Sequence, residues 1–281
     1  MSDIDSIAGL EAILGKAPPA VNLKVIDHVD AMARRWLASS PLMFAGFGGA
    51  GGVTVTLGGG APGFAAAEPA TLAVPLAALD DPALAIAGAS FGSLFLVPGI
   101  GETLRINGRV AGIDDGVARI AVEECYVHCA KALIRSGFWS ALPSGTAPAT
   151  PAAFATRSCF MALATMDAAG HADLSPKGDP AGSMAHLDGD QLWFADRPGN
   201  RRTDSFRNLI VQPRIAAALL IPGSADVAIL RGTATLTDDE TARATFAVQG
   251  KVPLLATRVD DVVIERRSSA ALARAALWPA A

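Results

Sequence analysis

The residues with the clearest chemical potential lie between Asp173 and Asn208, in the segment DLSPKGDPAGSMAHLDGDQLWFADRPGNRRTDSFRN. Two predicted turns bracket a strand, QLWFAD, and Thr203 is placed to cap a following helix. Guanidinium groups, a helix N-terminus and free backbone amides all favour a dianion such as phosphate. The candidate binding residues are Ser175, Lys177, Asp179, Arg197, Asn200, Arg201, Arg202 and Ser205. The alternative is a solvated basic turn that only caps a helix.

A second group stands in HCAKALIRSGFW, which is predicted to be helical. His128, Lys131 and Arg135 follow one another at i, i+3 and i+7, so they would share one face and could reach a ligand together. A charged strip facing solvent is the alternative here. No side chain in either group can be assigned as a catalyst.

A GxGxxG pattern at Gly46, Gly48 and Gly51 raises the possibility of a dinucleotide-binding turn. That motif needs a helix directly after its glycines, because the pyrophosphate rests on the helix N-terminus. The residues that follow are VTVTL, an alternating β-branched run typical of a strand. We therefore predict a hairpin turn.

The elements that must position these residues are repeated. Corresponding residues of the two copies are 119 positions apart near the start of each copy, 124 apart farther along and 139 apart at the end. The offset grows because the second copy carries about five extra residues and then about fifteen more. The anchor pairs are Gly51 with Gly170, Gly63 with Gly182, Pro98 with Pro222, and Trp139 with Trp278. We predict a tandem duplication with an N-terminal domain at 1–139, a linker rich in Pro, Ser, Thr and Ala at 140–153, and a C-terminal domain at 154–281.

The two copies have lost opposite parts of the polar pattern. In the first copy, TLGGGA replaces SPKGDP, and the cation-free VPLAALDDPALA replaces ADRPGNRRTDSFRN. In the second copy, Arg267 stands where the first has His128, and Ala270 where it has Lys131. A ligand that needs both groups would therefore lie between the copies.

An amphipathic helix is predicted over 25–38, and short apolar runs broken by Gly and Pro predict an antiparallel sheet or barrel. The runs in the first copy are LMFAGF, VTVTL, TLAVPL, SLFLVPG, ETLRINGRVAGI and ARIAVEECYV. The formal charge of −4 over 281 residues provides no general basic field for nucleic acid.

Cys125, Cys129 and Cys159 have no CxxC spacing, which argues against a disulfide framework or a zinc site, and no metal site is predicted. The acidic N-terminal residues are unlike a signal peptide, and no apolar run approaches the roughly 18 residues of a membrane span. We expect a cytoplasmic protein without membrane contact.

Four phrases, SPKGDP, ADRPGNRRTDSFRN, LVPGIGETLRINGR and HCAKALIRSGFW, together resemble the FMN-binding split-barrel proteins related to pyridoxamine 5'-phosphate oxidase. The first two stand in the second copy and the others in the first. The resemblance implies a mainly β (α+β) fold of two tandem split β-barrel domains with peripheral helices. In that family FMN lies in a homodimer interface, so the duplication would form a pseudo-dimer within one chain.

The resemblance also implies residue roles. Arg201 and Arg202, with Lys177 and Ser205, would hold the FMN phosphate and ribityl chain, while His128, Lys131 and Arg135 would approach from the partner domain. One intact flavin site and one erased site are expected, in an FMN-dependent oxidoreductase acting on a small molecule of unknown identity. Vitamin B6 oxidation is less expected, because it needs a second phosphate pocket.

Two alternatives stay open: a non-catalytic flavin- or haem-binding module, with His128 as an axial ligand, and a structural pseudo-dimer without a ligand. Whether two such chains pair again as a homodimer is also open.

Overall fold

The computed structural model describes residues 3–19, 23–142, 148–197, 199 and 202–278. The strands of the first half are β2 Leu42–Gly49, β3 Gly52–Gly59, β4 Ala66–Glu68, β5 Thr71–Pro75, β6 Ser90–Leu96, β7 Thr103–Asp114 and β8 Val117–His128. Those of the second half are β9 Phe160–Met166, β10 Ala172–Gly178, β11 Ala185–Asp188, β12 Gln191–Ala195, β13 Arg214–Leu220, β14 Asp226–Thr237 and β15 Ala256–Ser268, with β1 at Asp3–Ile4. The helices are α1 Ile7–Leu14, α2 Ala31–Ser39, α3 Lys131–Arg135, α4 Pro151–Arg157, α5 Asp204–Val211, α6 Glu240–Ala244 and α7 Ala270–Ala275.

The strands form two antiparallel sheets with the same topology. The first sheet has the order β3-β2-β6-β7-β8-β5-β4, and the second has the order β10-β9-β13-β14-β15-β12-β11, so each strand corresponds to the one seven positions later. The fold is therefore mainly β, with two tandem split-barrel-like domains, as the sequence predicts. The shared strand order is what a duplicated ancestor would produce.

Three apolar cores hold this arrangement together. One core belongs to the first sheet and contains Phe47 and Phe91, and another belongs to the second and contains Phe194 and Phe206. The third lies between the sheets, where Phe44 packs against Phe160 with ring centroids 5.5 Å apart. Because the middle core draws on both sheets, burial of apolar surface holds the halves together as it would the subunits of a dimer.

Each half places its terminal helix on a strand of the other half. Helix α3 presses Ala132 against Gly178 of β10, and helix α7 presses Ala271 against Gly59 of β3. In both places a Cβ atom on the glycine would collide with the backbone carbonyl of the alanine. Only glycine permits this close approach.

The two contacts also share a hydrogen bond. Arg135 of α3 donates from Nε to the carbonyl oxygen of Gly178 at 2.9 Å, and Arg274 of α7 donates from Nε to that of Gly59 at 2.9 Å. The sequence offset of 139 that relates Trp139 to Trp278 also relates these two arginines. The two contacts are therefore equivalent, as an approximate twofold symmetry between the halves would make them.

The structure differs from the sequence prediction at three places. Residues Asp3–Ile4 pair with β14 of the second sheet, and Leu10 of α1 is buried in the second core, so this N-terminal segment packs on the second half and not on the first. Helix α2 begins only at Ala31, because Asp30 caps it by accepting a hydrogen bond from the Ala33 amide at 2.7 Å. The predicted linker is partly helical, since α4 begins at Pro151. The domain boundaries themselves stay a prediction.

The glycine-rich segment is a hairpin, as expected. Strands β2 and β3 pair from Leu42 with Gly59 to Gly49 with Gly52, and Gly52 takes a φ of 105° in the turn. Because a strand follows the glycines, they do not form a phosphate-binding helix N-terminus. Within the described ranges, no helix combines the length and apolar character that crossing a bilayer requires.

Replacing Gly178 with Ala should separate α3 from β10 and lower the free energy of unfolding by about 1–3 kcal/mol, the usual cost of overpacking. Denaturant unfolding of Gly178→Ala measures this loss. Gly49→Ala is the matched control, because a Cβ there would meet no neighbouring atom. Equal stability of the two variants would contradict the close contact.

Candidate functional site

A cavity of about 440 Å³ opens between α3 of the first half and the second sheet. Its size falls within the roughly 300–1,000 Å³ of small-molecule sites. The sequence-predicted residues among its lining are His128, Lys131, Arg135, Ser175, Lys177, Asp179, Arg197, Arg202 and Ser205. Both predicted groups therefore line the same cavity. Whether they bind a cofactor stays a prediction.

Ser175 and Lys177 lie on strand β10, where the sequence predicted a turn. Because residues two apart in a strand share a face, both side chains reach the cavity. The Lys177 ammonium lies 4.2 Å from the centroid of the Phe206 ring and 3.5 Å from the hydroxyl oxygen of Ser205. Burial lowers the pKa of Lys177, an effect that the charge of Asp196 opposes. A charged group held in this way favours an anionic partner.

Helix α5 brings Ser205 and Arg202 to the cavity from the second half. Thr203 stands at the N-cap position but does not cap the helix through its side chain, which instead accepts a hydrogen bond from Arg207 Nε at 3.3 Å. The Arg202 guanidinium lies 4.2 Å from the centroid of the Tyr126 ring, and its Nε donates to Asp204. Arg202 thereby bridges the second half to a strand of the first.

Asp179 joins two of the arginines. It accepts a hydrogen bond from Arg197 Nε at 2.6 Å and lies 3.3 Å from Arg135 Nε. Burial raises the pKa of Asp179, although the hydrogen bond from Arg197 acts against that shift. Asp179 therefore orients cations from both halves and is more suited to positioning them than to binding an anion.

His128 is not on the predicted helix, and the expectation of one helix face for His128, Lys131 and Arg135 was wrong. His128 is the last residue of strand β8, and only Lys131–Arg135 are helical. All three side chains still line the cavity, because the strand ends beside the helix. Burial, and then the charge of Arg105, lower the pKa of His128 to about 3, so its imidazole is neutral near pH 7.

Asn200 and Arg201 lie outside the described residues, so their predicted roles stay predictions. Among the described lining residues the charges are unequal: six cationic side chains face two carboxylates. The cations are Lys131, Arg135, Lys177, Arg197, Arg202 and Lys251, and the carboxylates are Asp179 and Asp196. This surplus of positive charge contrasts with the net charge of −4 for the chain.

One wall of the cavity comes from the extra segment of the second copy near TFAVQGKVPLL. Val248, Val252 and Leu254 from this segment line the cavity. Phe246 anchors the segment, because its side chain is fully buried and its ring lies 4.9 Å from that of His186. The insertion was visible in the sequence, but its position beside the cavity was not.

Sequence reasoning missed a buried ion pair between the halves. Arg105 of β7 is 1% exposed and donates to Asp173 of β10 at 2.6 Å and to the Tyr126 hydroxyl at 2.6 Å. Burial by itself would lower the pKa of Arg105, but the charge of Asp173 raises it above its usual range. In LRINGR, polar and apolar residues alternate, a pattern in which the polar positions usually face solvent, so the sequence did not mark Arg105 as buried.

At the corresponding position, where α7 of the second half meets the first half, the protein supplies its own anions. Asp81 accepts two hydrogen bonds from Arg267, one of them at 2.6 Å. It also accepts a hydrogen bond from the Thr56 hydroxyl at 2.7 Å. Burial would raise the pKa of Asp81, but the hydrogen bond from Arg267 opposes this effect, and the pKa lies below its usual value. Asp80 accepts from the Ala271 amide at 2.8 Å at the start of α7. These carboxylates come from the half without the cationic loop, and they neutralise Arg267 and cap α7 of the other half.

The pyridoxamine 5'-phosphate oxidase family model matches residues 148–272. Among solved structures, the HupZ protein of Group A Streptococcus is 22% identical and aligns with 40% of this chain and 88% of its own, at a TM-score of 0.32. A structure named F420 reductase is 15% identical over 42% of this chain and 98% of its own, at a TM-score of 0.32.

General stress protein 26 from Bacillus anthracis str. Sterne is 13% identical over 40% of this chain and 89% of its own, at a TM-score of 0.29. No curated protein matches the chain significantly. These structural similarities are too distant to assign a function. In its second half, over residues 148–272, the chain is similar to the pyridoxamine 5'-phosphate oxidase family.

Proposed function

We propose that the chain binds one FMN in the cavity between its halves and is a flavin-dependent oxidoreductase acting on a small molecule. The observation that carries this proposal is the unequal distribution of charge. Among the described residues the cavity lining has six cations and two carboxylates, whereas at the corresponding position Asp80 and Asp81 of the first half cap α7 and neutralise Arg267 of the second. The surplus of positive charge in the cavity lining therefore favours an anionic ligand.

The residues present fit a phosphate. Lys177 of β10 and Arg202, just before α5, supply positive charge, and the Ser205 hydroxyl lies at the first turn of α5, where the helix dipole favours an anion. Arg201 and Asn200 would complete the loop, together with Ser175 along the ribityl chain. Asp179, between Arg135 and Arg197, would hold those cations in place.

The same cavity has an apolar side that fits a flat aromatic ring. Met184, Phe194 and Leu254 line it, with the copy-specific segment forming the outer wall. Bound FMN would supply hydride or single-electron transfer chemistry, while the protein fixes its orientation and access. Lys131 and the neutral His128 would approach from the first half. The substrate, the electron donor and the catalytic residues are unassigned.

A haem-binding role is the second candidate, and the state of His128 favours it. The low pKa leaves His128 as a neutral imidazole on the cavity wall, which is the form that coordinates iron. Haem titration distinguishes this function from flavin binding, because a Soret band that disappears in His128→Ala would support it.

Replacing Lys177 with Met should remove one charge-assisted contact to the phosphate, worth about 1.5–3 kcal/mol, and so weaken FMN binding by at least about tenfold. Fluorescence titration of FMN into apoprotein measures the affinity. Lys24→Met removes the same charge from an exposed position outside the cavity lining and should leave the affinity unchanged. An unchanged affinity in Lys177→Met would refute the phosphate assignment.

FMN affinity should also fall as the pH rises, and the fall should begin at a lower pH than deprotonation of an ordinary lysine would produce. Burial lowers the pKa of Lys177, so the free protein loses this charge at a lower pH than usual. Lys177→Arg should keep its affinity to higher pH, because guanidinium does not deprotonate in this range. Comparing the two proteins cancels the titration of flavin itself, and identical pH profiles would exclude Lys177 as the titrating group.

A further inference from the structure

A second cavity, of about 480 Å³, lies on the other side of Arg202 and is also formed by both halves. Strands β7 and β8 provide one wall, and the turn before β10, β10 itself and α5 provide the other. Arg202 lines both cavities. The two spaces are therefore neighbours, and the proposed flavin function does not use the second one.

The second cavity has the opposite charge to the first. Its lining contains five carboxylates and two guanidinium groups among the described residues. Arg202 donates to Asp204, and Arg207 is paired with Glu11, which lies outside this lining. His171 contacts Asp167 at 3.0 Å. The surplus of negative charge favours a cationic ligand.

Two buried oxygens in the lining have no donor. Asn107 and Asp173 are 7% and 9% exposed, and Asn107 Oδ1 and Asp173 Oδ2 make no hydrogen bond to any described residue. The other Asp173 oxygen accepts from Arg105 at 2.6 Å. Since buried polar atoms are normally hydrogen-bonded, two unpaired acceptors on residues that line a cavity favour a ligand that donates.

The orientation of the Asn107 amide is set by its neighbour. Its Nδ2 donates to Glu124 Oε2 at 3.0 Å and lies 3.4 Å from Asp173 Oδ1. A flipped amide would place its oxygen against both carboxylates, so the oxygen has to point elsewhere. The cavity thus offers hydrogen-bond acceptors where its charge is negative.

We propose that this second cavity binds a small organic cation, a protonated aliphatic amine. An ammonium group carries N–H donors for Asn107 and Asp173 and a charge for Glu123 and Glu124. Across the described part of the chain, no three His, Cys, Asp or Glu side chains are arranged to hold a metal ion. The inference stands independently of flavin binding.

Isothermal titration of the purified full-length protein with putrescine (1,4-diaminobutane) tests this proposal. We expect saturable binding that 1,4-butanediol, the uncharged analogue, does not reproduce. Glu124→Gln keeps an oxygen acceptor for Asn107 but loses the charge, and it should weaken putrescine binding about tenfold. Glu265 is an exposed carboxylate outside the cavity, so the Glu265→Gln variant should bind putrescine as the unaltered protein does.

Absence of putrescine binding would overturn the proposal, and so would equal weakening by the two glutamine variants, which would indicate surface electrostatics alone. Glu123→Gln, at the exposed rim, provides a second test if Glu124→Gln does not fold. Flavin content should be the same in all these variants. Loss of putrescine binding with retained flavin therefore separates this site from the first cavity.

Discussion

The structure depends on the contact between each terminal helix and a glycine in a strand of the other half. Helix α3 can lie on β10 only because Gly178 has no side chain, and this contact brings Lys131 and Arg135 to Lys177 and Asp179. The apolar core between the sheets adds the free energy that holds the halves in place. Without this close packing, neither half would enclose the cavity.

The two halves share a strand order but differ in the residues that could form a site. Arg267 of the second half stands where the first half has His128, and the first half has no counterpart of the cationic loop. Asp80 and Asp81, from the half without the loop, cap α7 and neutralise Arg267 of the other half. The lining of the first cavity keeps a surplus of positive charge, which is why we place the cofactor there.

The sequence predicted the fold class and most strands, because Gly and Pro mark the turns and β-branched residues fill the runs. It misassigned SPKG as a turn, since Pro and Gly usually interrupt strands. Strand β10 tolerates Pro176 because it lies at the edge of its sheet, where proline is found. The two-residue strand β1 is too short for any periodic signal.

The candidate site was predictable in part. Offsets between the copies showed which motifs were complementary, so Lys177, Arg202 and the segment after His128 could be grouped before the structure placed them around one cavity. Arg105 and Asp173 could not be paired from the sequence, because each lies on a strand face that looks solvent-exposed until the other half covers it. Contacts between halves depend on tertiary packing, which local patterns do not encode.

The central claim is that the two halves together make one cofactor site and not two. The most direct measurement is the flavin released from denatured holoprotein, quantified by absorbance, against protein quantified by amino-acid analysis. The account predicts a ratio near one FMN per chain. A ratio near two would show that the corresponding position, where Asp81 of the first half meets Arg267 of the second, also binds flavin, and protein that cannot take up FMN would contradict the account altogether.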